Sequence, residues 1–212
     1  MEEVEKVTEA LKLVERYEEY LFRKAFGVLF VVFGILGPLT GYLVSNAQPL
    51  ASVLGISADA FALFTAVVIW IIGCAIILRS FASATIVYQK KRKFSFRRDA
   101  PHIIAIILVW LVPFFLVKFA PETLMPVAWL WAAGSGSVLT YLIIRKPHAS
   151  YPEFLLTGLV LLITSLPIAA ISDLALAGSA SMVTFSASFF IGGLYSVMTA
   201  TRALSKKAAG SS

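Results

Sequence analysis

At 212 residues, with 59% hydrophobic and only 14% charged side chains and a mean hydropathy of +0.87, the chain is too apolar for a soluble domain and belongs to the membrane class. Its net charge of +6 does not indicate nucleic-acid binding: residues 1–24 hold seven acidic and five basic side chains and so carry −2, and the remaining +8 sits almost wholly in loops beside apolar runs. The single cysteine, Cys74, excludes an internal disulfide and a thiolate metal site.

Residues 1–24 predict an amphipathic helix, with Val4, Val7, Leu11, Val14 and Leu21 at heptad-like spacing and Glu2 with Lys6 and Glu19 with Arg23 as supporting pairs four apart. A helix that lies on anionic lipid carries Lys and Arg on its polar face, whereas this one carries mainly Glu. Docking on protein is therefore expected, either on the chain's own cytoplasmic loops or on a partner or second copy.

Six spans of adequate length follow, at about 25–46, 60–82, 102–119, 126–144, 154–172 and 182–202, and residues 205–212 read as a flexible tail. The helix of the second span is expected to project past Leu78 toward Gln89, Pro101 to sit in the first turn of the third, and Pro121 and Pro126 to bracket a tight turn. The loop over residues 89–99 holds Lys90, Lys91, Arg92, Lys93, Arg97 and Arg98, and bases so dense beside spans remain in the cytoplasm. Alternating outward from it, Arg23, Lys24, Arg145, Lys146, Arg202, Lys206 and Lys207 also fall inside. The expected fold is all-α: a polytopic protein of the cytoplasmic membrane, six spans plus an N-terminal cytoplasmic helix, with both termini inside. Interleaved with Phe94 and Phe96, the same bases form a patch for anionic headgroups or for an acidic partner segment.

Each odd span has one interior proline, Pro38, Pro113 or Pro167, and each even span a glycine three residues after an aromatic: Trp70 and Gly73, Trp131 and Gly134, Phe190 and Gly193. Proline in a helix frees a carbonyl and bends the rod, so three bends at one depth predict an opened outer half and suggest three tandem hairpins about an axis normal to the membrane. Mitochondrial carriers share the odd-span prolines. That family needs an acid two positions after each proline and a base three further on, where this chain has Thr40 and Leu43, Phe115 and Lys118, and Ala169 and Ser172, so the comparison fails on its residues.

The sixth span places Thr184, Ser188, Gly192, Ser196 and Ala200 at strict four-residue spacing, and the fourth has a like face at Ala132, Gly136 and Thr140, with Gly37 and Gly41 as a shorter example in the first. Small residues let helix backbones approach where lipid supplies no hydrophobic force, so the fourth and sixth spans are expected to pack on one another. No Asp, Glu, Lys, Arg or His falls at mid-depth, which disfavours ion-coupled transport, and Cys74 has no catalytic partner at its level. His102 and His148, each after a proline at the expected cytoplasmic edge, lack the further ligands of a metal or haem site, and no cofactor is expected. The leading expectation is a non-catalytic membrane subunit or scaffold that binds proteins or itself through the N-terminal helix and the small-residue faces. The alternative is a small carrier or channel for a neutral or lipid-like solute, and a third is an enzyme of the cytoplasmic face using His102, His148 and Asp99.

Overall fold

A computed structural model describes residues 2–91, 96–144 and 151–205. They form seven α-helices, α1 Glu2–Ser45, α2 Ala47–Leu54, α3 Ala58–Lys91, α4 Phe96–Val117, α5 Met125–Ile144, α6 Pro152–Ala169 and α7 Leu174–Ser205, with a 3₁₀ turn at Glu122–Leu124 and no strand among the described residues. Six of them, all but α2, are long and apolar enough to cross a membrane. These are the features of a multi-pass membrane protein.

Several boundaries depart from the sequence expectation, each for a local reason. The amphipathic segment and the first span are one continuous helix, α1, because nothing between Lys24 and Ala25 breaks it. The segment after it is not plain loop: α2 occupies it, closed by Gly55, whose φ of 68° is the left-handed conformation that ends helices. Helix α3 runs on to Lys91, as its lack of breakers predicts. Pro101 is the sixth residue of α4 rather than part of its first turn. Helix α7 starts eight residues before the expected position because Asp173 caps it, its Oδ1 accepting from the amides of Ala175 at 2.9 Å and Leu176 at 3.1 Å.

The helices pack in the order α3, α1, α7, α6, α5, α4, an arc whose two ends, α3 and α4, barely meet. The most extensive seam joins α1 to α7. It is built on glycines at seven-residue spacing: a Cβ at Gly27 would come 3.1 Å from the Gly193 carbonyl oxygen, one at Gly34 3.1 Å from that of Ser186, and one at Gly41 2.7 Å from Met182 Cε. Ser186 Oγ donates to the Gly34 carbonyl at 2.6 Å across this seam. Helices α5 and α6 meet the same way, since a Cβ on Gly158 would stand 2.7 Å from the Gly134 carbonyl oxygen.

The arc conflicts with a threefold hairpin repeat. Gly134 of α5 faces α6 and Gly193 of α7 faces α1, each the following odd span, but Gly73 of α3 packs on Leu36 and Val32 of its own hairpin partner α1. The relation breaks at the first hairpin because α3 lies away from α4.

Buried aromatic rings fill the inside of the arc. Phe30 and Phe189 are its largest fully enclosed side chains, and Phe154 lies edge-on to Phe30 at 4.7 Å. Outward faces carry Leu63, Phe64, Ile71, Leu111 and Ile163, all exposed, as hydrocarbon contact requires. Gly158→Ala should therefore lower stability by about 1–3 kcal/mol, because its neighbour is backbone that cannot rotate away, whereas Gly178→Ala, with nothing within 4 Å of the added carbon, should be neutral. Thermal unfolding of both variants in one detergent checks the contrast.

Candidate functional site

The sequence-predicted positions separate into distinct places. On α7, Ser188, Gly192, Ser196 and Ala200 are buried and Thr184 half-buried. The row does not meet α5 as its main partner. Thr157 of α6 is buried against Gly192, with its Oγ1 3.4 Å from the Ser188 carbonyl, and Ser196 bonds to Glu153 of α6. The adjacent row, Met182, Ser186, Phe189 and Gly193, makes the glycine seam with α1, which the first row also touches where Gly192 nears Phe30 and Ser196 bonds to the Arg23 carbonyl. On α5, Gly136 and Thr140 face Trp110 of α4, and Ala132 is buried beside them in sequence. Gly37 packs on Phe185 and Gly41 on Met182, both of α7. The fourth and sixth spans do meet, Trp129 of α5 lying 4.8 Å from Phe185 of α7, but as a minor seam: α5 packs mainly against α4 and α6, and α7 against α1 and α6.

Pro38, Pro113 and Pro167 lie inside α1, α4 and α6. A cavity of about 210 Å³ sits toward the Arg23 end, and a wider, more open recess of about 450 Å³ lies at the opposite end between α5 and α7, beside Glu122, Trp129 and Met182; none of the three prolines lines either. Of the basic cluster, Arg92 and Lys93 lie outside the described residues, and Lys90, Lys91, Arg97 and Arg98 are described in backbone only, within α3 and α4. His148 also lies outside the described residues.

Two features lie side by side at the Arg23 end. The first is a polar junction joining α1, α6 and α7. Glu153, in the first turn of α6, is completely enclosed. Its Oε1 is 2.9 Å from Ser196 Oγ, which is also 2.8 Å from the Arg23 carbonyl. A hydroxyl has one hydrogen for these two acceptors, so it serves them in turn unless the carboxyl brings a proton of its own. Glu153 Oε2 has no hydrogen-bond partner among the described residues, and Arg23 Nη1 stands 3.8 Å from it. The Arg23 side chain is fixed by Nε donating to Glu19 Oε1 at 2.9 Å and by Nη1 donating to Thr199 Oγ1 at 3.3 Å. Its guanidinium lies 5.7 Å over the Tyr151 ring, a cation–π arrangement. Burial, helped by the nearby Glu19 carboxylate, pushes the Tyr151 phenol up to about 12, so the ring stays neutral under that cation.

Sequence reasoning passed over Glu153. The signal was present, however: beyond residue 24 the chain has five acids, and Glu153 and Asp99 are the two among the predicted cytoplasmic bases. A carboxyl at the mouth of a span whose neighbour carries a serine stripe has a hydroxyl available to satisfy it.

The second feature is the cavity, lined by Phe26, Leu29 and Phe33 of α1, Ile106 and Trp110 of α4, Thr140 and Ile144 of α5, Phe154 of α6 and Phe189 of α7. The polar groups in that wall satisfy one another. Trp110 Nε1 donates to Thr140 Oγ1 at 2.9 Å, and Thr140 Oγ1 donates to the Gly136 carbonyl at 2.7 Å. Phe26 links the two features, lying 5.0 Å from Tyr151 and 5.1 Å from Phe154, both edge-on. Compared with protein families, curated proteins and solved structures, the chain matches none of them.

Ser196→Ala should destabilise the bundle by about 1–3 kcal/mol, since it leaves an enclosed carboxyl oxygen and the Arg23 carbonyl without their shared donor. Thr199→Ala, at the half-exposed edge, should cost less. Unfolding midpoints of the two purified variants, measured side by side, give the comparison.

Proposed function

We propose that the protein is a non-catalytic subunit or scaffold of the cytoplasmic membrane, with both termini inside, and that it binds another protein or a second copy of itself through the N-terminal part of α1. The observation that supports this reading is the stalk. Residues 4–17 stand clear of the bundle where described, with Val4 71%, Val7 59%, Leu11 59% and Val14 44% exposed along one line of the helix. At 1.5 Å per residue this segment reaches about 20 Å beyond the packed region.

An isolated helix of this length is marginal in water, but here the span continues into it and supplies the nucleus. The polar faces, rich in Glu, keep the stalk out of hydrocarbon. Its apolar line is then left facing water, and burying such surface is favourable by about 25 cal/mol per Å². The chain's own described helices do not cover it, and a partner protein or a second copy can do so. The orientation follows from the bases that flank alternate connections, and the dense group at residues 90–98 is suited to resting on anionic headgroups.

In a gentle detergent the particle should have a protein mass above the 23.0 kDa of one chain. Removing residues 1–17, or introducing Val7→Glu with Leu11→Glu, should return it to one chain, read by light scattering during size exclusion. A wild-type protein that already runs as a single chain without a companion rejects the proposal.

A further inference from the structure

We infer that the cavity between α1 and α4 is a binding site for one hydrocarbon chain of a membrane lipid, which enters sideways from the bilayer through the gap between the two ends of the helix arc. Three observations carry this. The wall offers a guest no free donor or acceptor, because the Trp110 indole, the Thr140 hydroxyl and the Gly136 carbonyl form a closed relay. An ordered water needs two to four polar partners, and apolar cavities of about 150 Å³ stay dry and accept small hydrocarbons. At about 210 Å³ this one has room for a segment of chain.

The second observation is access. Neither α1 nor α3 packs closely along α4, and a ring contact, Phe33 to Trp110 at 6.3 Å, bridges α1 and α4, with Trp70 of α3 also 5.2 Å from Phe33. Between α4 and the α1–α3 pair the wall of the cavity is therefore the thinnest part of the bundle.

The third is depth. Phe26 and Phe33 stand three and ten residues after Arg23, which places the cavity roughly 5–15 Å along α1 from that charged level. Since half the hydrocarbon layer is about 15 Å, that is the zone of the acyl chains of the nearer leaflet. A lipid whose headgroup sits at the level of Arg23 can put its tail there without leaving its own leaflet. This site does not depend on association through the stalk.

The test is a titration of the purified full-length chain, in detergent, with phosphatidylcholine brominated at mid-chain, followed by tryptophan fluorescence. Trp110 lines the cavity, so the proposal expects a saturable quenching component at one lipid per chain. In the double variant Ile106→Phe with Ile144→Phe, which fills the space, apparent affinity for that component should fall about tenfold or more. Quenching that rises without saturating, or a filled variant that titrates like the parent, overturns the proposal. So does saturable quenching by a brominated alkane together with none by the phospholipid, which would assign the space to a free apolar solute. Should the double variant fail to fold, native mass spectrometry of the parent decides: one retained lipid per chain supports the site, and a bare chain overturns it.

Discussion

Everything in this bundle follows from how closely α1 and α7 approach. Lipid tails are as apolar as leucine, so burying large side chains does not by itself draw two spans together, and what remains is van der Waals contact at short range with hydrogen bonds across the seam. Gly27 opposite Gly193 allows that range, and the Ser186 hydroxyl on the Gly34 carbonyl ties it. Pressed together, the two helices bring Phe30 and Phe189 to 5.3 Å and enclose them, and this aromatic pair is the inner wall on which α6 lays Phe154.

The number of spans was legible in the sequence because apolar length and the spacing of breakers decide it locally. The neighbours were not, and helix geometry explains the miss. A four-residue step advances a 3.6-residue helix by about 40° beyond a full turn, so five such positions from Thr184 to Ala200 sweep through about 160° and cannot all face one partner. A seven-residue step falls only about 20° short of two full turns, so Gly27, Gly34 and Gly41 stay on one side and mark the true seam. Small-residue identity suggested the right class of contact, while the period carried the direction.

The proline bends misled for a related reason. Pro38, Pro113 and Pro167 were read as openings at one depth, but the space inside an arc of helices depends on which rings fill it. Toward the Arg23 end, Phe26, Phe33 and Trp110 line the cavity, and toward the other end the open recess lies beside Trp129 and Met182, with none of the three prolines in either wall. Glu153 escaped notice because composition alone records a carboxyl near a membrane edge; only the fold shows that Ser196 and Arg23 converge on it.

Helix α1 belongs at once to the stalk, the polar junction and the cavity wall, in one unbroken run from Glu2 to Ser45. Arg23, clamped by Glu19, Thr199 and the ring of Tyr151, stands near the middle of this rod. The same unbroken helix therefore presents the exposed valines and leucine of its first four turns at one end and, beyond the clamp, lines the cavity with Phe26 and Phe33.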